Sequence, residues 1–396
     1  MFKNILISGL LCTLVSAQSF PEKPMGFDTF IQKAITNSPY LKSSTLAVEQ
    51  ARQNGNVLTR YANPTLELEY SNFLPDVGNS DNGYRVNYSQ PIRLWNVGDN
   101  KVSLSRDMIN SANAEYSQQK AIFVSNISIA FTLYSEQKMF LNLGDEELEI
   151  AKTIYDISKA RYESGTISRG LMLQAKIDYK TVQIKNESLV LSTKQSYYNL
   201  LRLAGTKEEV ELDTSYKFVL SNTNDNTNNP NIKLLKSKQN KALSEAKVNS
   251  NSVEWMSLFA EYESEPKQDI TRVGVNFPLA FFNTKSEEKK IATLEAARSQ
   301  LLIDNETKRL DIEANRLHKE KVSLEKLRLK NEDILKSELE LLAMFQNGYK
   351  IANINLLQLQ DIKNRVISTK RDLIKINTAL NKNAIITNYN QGLYND

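Results

Sequence analysis

Two stretches of about 60 residues, from Asp99 to Arg161 and from Thr284 to Phe345, contain no proline, and Gly144 is their only glycine. Helix of that length reaches roughly 90 Å, far beyond an ordinary globular helix. The chain of 396 residues is therefore expected to be elongated and mainly α. Each long stretch ends in a break and is followed by another helical stretch. Tyr162-Glu163-Ser164-Gly165-Thr166-Ile167-Ser168 interrupts the first, ahead of a helix from about Leu171 to Leu203 that Ala204-Gly205 stops. Gln346-Asn347-Gly348-Tyr349 is expected to break the second, ahead of a helix from about Asn355 to Ile385.

Shorter helical patterns precede each long one: Asp28 to about Arg60, interrupted at Ser38-Pro39, and Ile232 to Ser250. Between short and long helix the period changes to two. Leu66, Leu68 and Tyr70 alternate with polar residues, as do Tyr84, Val86 and Tyr88, and a turn-rich loop from Leu74 to Gly83 joins them. Gln90-Pro91 is expected to end that hairpin. The second half does the same with Met256, Leu258, Ala260 and Tyr262, a loop at Glu265-Pro266, and Val273, Val275 and Phe277. Pro91 aligns with Pro278 and Gly165 with Gly348, at separations that differ by about one helical turn. Duplication of a helix, hairpin, long helix, turn, helix unit accounts for this order. The expected division is a leader at 1–17, a first repeat at 18–215 with its hairpin at about 65–90, an Asn-rich linker at 216–231, and a second repeat at 232–396 with its hairpin at about 253–279. The linker's composition is not that of a core.

Composition excludes several function classes. One His and one Cys leave too little imidazole and thiol for a zinc, haem or iron-sulfur centre, so no cofactor and no metal ligand is assigned. His318 lies among Arg316, Lys319 and Glu320, where neighbouring cations oppose metal binding; it reads as a solvated helix residue. The formal charge of +4 gives no footprint for nucleic acid. No phosphate-cradling loop or nucleophile motif is present, and an enzyme is not expected.

The first 17 residues read as an export signal: Lys3, an apolar stretch from Ile5 to Val15, and Val15-Ser16-Ala17 as the cleavage site. Lipid anchoring at Cys12 is the alternative, opposed by the bulk of Leu11 before it. Beyond the leader no run of about 18 apolar residues could form a membrane-spanning helix. In the second long helix Leu310, Leu317 and Leu324 are spaced by sevens, and Leu327, Ile334 and Leu341 are expected to continue that seam, with Asn331 and Glu338 as interruptions. These rows alone fit an exported coiled-coil scaffold. The strands point elsewhere. Four cannot close a membrane barrel, which takes at least about eight, whereas three copies supply twelve. Tyr70, Tyr84, Tyr88, Trp95, Trp255 and Tyr262 lie in or beside the strands, where aromatic belts meet the lipid boundary.

Several segments resemble the outer-membrane efflux protein family typified by TolC. They are Ala62-Asn63-Pro64, Ser89-Gln90-Pro91-Ile92, Val273-Gly274-Val275-Asn276-Phe277-Pro278-Leu279, Ala160-Arg161-Tyr162-Glu163-Ser164-Gly165, Leu173-Gln174-Ala175 and Leu200-Leu201-Arg202-Leu203-Ala204-Gly205. Asn63-Pro64, Glu69-Tyr70-Ser71-Asn72-Phe73 and Pro278-Leu279-Ala280-Phe281-Phe282-Asn283 are most similar to its CzcC-like heavy-metal branch, although the basic, glycine-rich run of that branch is replaced here by Leu94 to Asn100. The resemblance implies a homotrimer with a 12-stranded barrel in outer-membrane lipid and a long periplasmic α-helical barrel. It implies a passive conduit for substrates handed on by a periplasmic adaptor, or membrane fusion, protein and an inner-membrane pump of RND type. Cargo would be heavy-metal cations, with drugs or a type I secreted protein as alternatives. The helix tips would meet the adaptor through Tyr162, Gly165, Phe345 and Gly348. Family members commonly ring the closed mouth with acidic residues; the segment from Ala352 to Leu357 has none, so Asn353 and Asn355 are expected to form a neutral constriction.

Overall fold

The computed structural model describes residues 24–74, 76–220, 226–351 and 353–395. The expected leader, Cys12 and part of the Asn-rich stretch lie outside the described residues. In chain order the elements are α1 (Phe27–Asn37), α2 (Pro39–Thr59), β1 (Thr65–Phe73), β2 (Asp81–Arg93), α3 (Val97–Glu163) and α4 (Arg169–Ala204). They continue with α5 (Pro230–Val248), β3 (Trp255–Glu265), β4 (Gln268–Asn276), α6 (Ser286–Lys350) and α7 (Leu356–Asn390); a single 3-10 turn, Asn226–Asn228, precedes α5.

Local chemistry sets the helix ends. Proline at the first helical position starts α2 and α5, and the side chains of Ser38 and Asn229 accept the free backbone N–H groups there. Gly205, left-handed at φ 69°, closes α4. The two long helices begin alike: each follows a strand through one left-handed non-glycine residue, Asn96 at φ 67° before α3 and Lys285 at φ 56° before α6. The residue before each long helix is thus left-handed, although residues 94–96 connect β2 to α3 and the longer 277–285 connects β4 to α6.

All four strands form one antiparallel sheet in the order β1-β2-β3-β4, so β2–β3 pairing fuses the two hairpins and β1 and β4 are its edges. The helices follow a matching lateral order. α3 packs against α2 and α4 and also against α5 and α7, and α6 packs against α5 and α7. The molecule is a strip with β1, α2 and α4 toward one margin and β4 and α6 toward the other.

One core gathers α1, the middle of α3 and the end of α4 around Phe30, Phe131, Leu200 and Ala204, all buried. Phe27 is ringed by Phe131 and Tyr216 at 4.8 Å and by Phe218 at 5.0 Å between centroids. The stretch expected as a linker is consequently anchored at both described ends. Tyr216 and Phe218 pack on this core, and buried Asn229 donates to the Asn390 carbonyl at 3.0 Å. A second core joins the far ends of α3, α4, α6 and α7 through Ile154, Ala175, Leu342 and Leu359.

Three expectations change. β2 does not end at Gln90-Pro91 but runs to Arg93, with Pro91 opposite Ser257. Pairing with β1 stops at Ser89, so the proline sits where β2 has one neighbour and its missing N–H breaks no bond. α6 continues through the expected break at Gly348 to Lys350. The heptad rows also divide differently: Leu310 and Leu317 are buried, but Leu327, Ile334 and Leu341 are exposed, and the covered face runs through half-buried Asn331 and Glu338 instead.

Glu306 ties α5 to α6. Arg309 donates to it at 2.7 and 2.8 Å and Asn231 at 3.1 Å. The Arg309 bonds come first in holding its carboxyl below the usual glutamate range, and burial opposes them. A depressed folded pKa contributes stability that is full above the unfolded value and is lost as pH falls through the folded one. Hydrogen exchange in residues 230–240 should therefore accelerate below about pH 4, and Glu306→Gln should abolish that pH dependence.

Candidate functional site

The sheet has two chemically different faces. On one, Leu66, Leu68 and Tyr70 of β1 stand opposite Tyr88, Val86 and Tyr84 of β2, and the row continues through Leu258, Ala260, Tyr262, Val273 and Val275. Most of these apolar side chains are exposed. The alternate positions carry Glu67, Glu69, Arg85, Asn87, Glu261, Glu263 and Arg272, and on β3 this polar face is the more covered one. Arg85 pairs with Glu69 and lies 3.9 Å from Glu67; Arg272 pairs with Glu261 and, at 2.6 Å, with Glu263. An exposed apolar face backed by a polar one inverts the arrangement of a water-soluble sheet, and suits lipid outside and water inside.

Where strands give way to helices, Arg93 forms a joint. Its guanidinium lies between the rings of Tyr61 and Trp255, 4.8 and 4.5 Å from their centroids. It donates to the carbonyls of Thr59 at 3.1 Å and Arg60 at 2.6 Å, closing the end of α2. Glu254 lies 3.5 Å from its Nε and also pairs with Lys101 of α3. One side chain thereby fixes α2, β2 and β3 together, and Glu254 extends the link to α3.

At the other end are the two helix tips. Gly165 is left-handed at φ 73° and a Cβ there would meet nothing within 4 Å, so it serves the turn after α3. Gly348 has a different role from the expected turn. It is helical, its carbonyl accepts from Asn353 N at 2.9 Å, and a Cβ there would come within 2.5 Å of Ile354. The glycine lets the returning chain lie against α6. Tyr162 is exposed, whereas Phe345 is half-buried against the second core. Asn353 is exposed, and Asn355 caps α7: its side chain accepts from Gln358 N at 2.9 Å while Gln358 accepts from Asn355 N at 3.3 Å. His318 is exposed on α6.

Sequence reasoning missed the groups that hold the tips together. Tyr349 is 1 % exposed. Ser158 donates to the Ile154 carbonyl at 2.8 Å, which leaves its oxygen to accept from the Tyr349 hydroxyl at 2.7 Å. Arg161 donates to the Tyr349 carbonyl at 3.1 Å with its guanidinium 4.8 Å from the ring centroid. Further along, buried Lys363 of α7 pairs with Asp178 of α4 at 2.7 Å. These partners lie more than 180 positions apart, and no local spacing signals them.

The lateral margins carry unpartnered apolar rows. On α4, Ile177, Ile184, Leu191 and Tyr198 recur every seven residues and all are exposed. On α6, Leu327, Ile334 and Leu341 do the same. Seven-residue rows open to water are half of a helix seam.

Residues 30–206 match the outer membrane efflux protein family. Those residues belong to that family. No curated protein matches the chain. The fold over nearly the full length is that of solved outer-membrane channels. OprN is 12 % identical, with a TM-score of 0.74 over 92 % of this chain and 89 % of that one. VceC from Vibrio cholerae is 14 % identical, with 0.72 over 92 % and 95 %. CusC is 16 % identical, with 0.74 over 92 % and 91 %. Residues 30–206 thus carry the sequence of an outer membrane efflux protein, and the fold around them is that of outer-membrane channels.

Removing Asp178 should strand the buried Lys363 ammonium. Asp178→Ala is expected to cost about 3 kcal/mol locally, measured as faster hydrogen exchange across residues 356–370 with the distant α1 core unchanged.

Proposed function

We propose that three copies of this efflux protein close side by side into one conduit, with β1 of each copy pairing β4 of the next to give a twelve-stranded barrel. The observation that carries this reading is that strand edges and exposed seven-residue rows occur at the same two margins of the strip. Closure would satisfy both at once: edge N–H and C=O groups gain partners, and the α4 row of one copy meets the α6 row of the next. The apolar sheet face would then contact lipid and the charged face water.

In this reading the chain is two repeats, 18–215 and 232–396, joined by 216–231, and each repeat contributes one hairpin and one helical tip. The tips form the periplasmic mouth. Tyr162, Gly165, Phe345 and Gly348 mark the surface offered to an adaptor protein; Gly165 has open space for a partner side chain. Asn353, exposed beyond the end of α6, lines the constriction, with Asn355 holding the start of α7 beside it. The conduit would work in a tripartite assembly, receiving cargo from an inner-membrane pump of RND type. Heavy-metal cations are the first cargo to test, on the likeness of the strand motifs to the CzcC-like branch.

Outer-membrane fractions should contain heat-modifiable trimers. Leu191→Glu combined with Ile334→Glu should place charge in the seam between copies and convert them to monomers. Deletion should sensitise cells to zinc, cadmium, nickel or copper; sensitivity confined to dyes and detergents would assign drugs as the cargo instead. Recovery of the wild type as a stable water-soluble monomer would overturn the conduit.

A further inference from the structure

We infer that a cleft in the helical part of the chain is a binding site for a small amphiphilic anion, an apolar body carrying one carboxylate. The cleft, of about 460 Å³, opens between the extended segment 215–220 and the paired helices α6 and α7, over Met139 of α3. That volume is in the range of small-ligand pockets. Its wall is fixed from behind. Ser135 of α3 donates to the Thr214 carbonyl at 3.1 Å, Asn388 of α7 donates to the Val219 carbonyl at 2.9 Å, and the Phe218 N–H donates to Asn381 Oδ1 at 3.4 Å. Tyr216 and Phe218 also pack on the Phe27 ring. A wall held in this way is ordered before a ligand arrives, which lowers the cost of binding.

The lining has two chemistries. Phe218, Leu380 and Ala384 join Met139 as an apolar floor. Around it stand Lys217 from the segment and, about two turns apart on α6, Lys321 and Arg328. Glu325 is the one carboxylate among the described lining residues, 3.9 Å from Lys321, so the lining keeps an excess of two positive charges. Arg328 Nε is buried and has no hydrogen-bond partner among the described residues; Glu332 lies 3.7 Å from it. Asn381 accepts through its oxygen, which leaves its NH2 group to donate, and Asn377 brings a second amide to the cleft. A guanidinium fork, ammonium groups and amide donors match a planar carboxylate, and the floor takes hydrocarbon. A neutral apolar molecule would desolvate the cations without pairing them.

The segment lies over α3 and α7 and packs on α1, so the two form a second layer on one face of the strip. On the conduit proposed above, that layer belongs to the outer wall, where it leaves the passage open, and the site meets periplasmic solutes and not cargo. All residues of the cleft come from one chain, so binding itself does not require the trimer.

The test is equilibrium dialysis of the full-length protein in lipid nanodiscs against 4-phenylbutyrate. The alcohol 4-phenylbutanol supplies the same body without the charge, and empty nanodiscs are the blank. Wild type should bind the carboxylate about tenfold or more tighter than the alcohol. Lys321→Gln combined with Arg328→Gln should weaken carboxylate binding about tenfold and leave the alcohol unchanged. Lys217→Glu, at an exposed position, should weaken it too and covers the case in which the double variant fails to fold. Bound 4-phenylbutyrate should also slow hydrogen exchange in residues 214–220 and 377–384. Equal affinity for the two probes, or a carboxylate affinity that neither variant changes, would overturn the site while leaving the conduit intact. Wild-type protein that binds the carboxylate as a monomer would keep the site and overturn the conduit.

Discussion

The unpaired backbone of two edge strands governs everything else in this molecule. β1 and β4 are the edges of the sheet and each present a row of N–H and C=O groups with no neighbouring strand among the described residues, beside a sheet face of exposed leucine, valine and tyrosine. In water that face would aggregate, and in lipid each unsatisfied backbone group would cost several kcal/mol. A single copy has no stable setting for such a sheet. In the proposed trimer, closure on other copies would supply both missing partners and a lipid-facing exterior.

The helical part is built to the same plan. α3 is central, α2 and α4 flank it toward one margin, and α6 forms the other margin beyond α5 and α7. Asn96 and Lys285, both left-handed, precede the two long helices, and Arg93 clamps strands to α2. The helix tips are secured within the chain by Ser158, Arg161 and Tyr349. Cohesion along the strip is therefore internal, and what it lacks is lateral.

Much of this was legible in the sequence because periodicity is a local property. Proline-free stretches gave the long helices, and alternation gave all four strands. Whatever depends on which face meets a neighbour was not legible. Leu327, Ile334 and Leu341 have the spacing of a buried seam, yet α7 covers the face holding Asn331 and Glu338, so the apolar row stays open. Gly348 resembles Gly165 in sequence, but the demand on it is close contact with Ile354 and not a positive φ. Pro91 reads as a strand end because sequence cannot show that β1 has already stopped pairing there. The Tyr349 and Lys363 contacts join distant segments and leave no local trace.

Disulfide trapping between the two edge strands tests the shared barrel most directly. The only native cysteine is Cys12, and the described residues contain none. Leu66→Cys, Leu68→Cys or Tyr70→Cys would each be combined with Val273→Cys in Cys12→Ser protein and oxidised in the membrane. The account predicts that at least one β1 position links chains into a ladder ending at a covalent trimer. Failure of every pair to cross-link between chains, with the protein running as a monomer throughout, would contradict it.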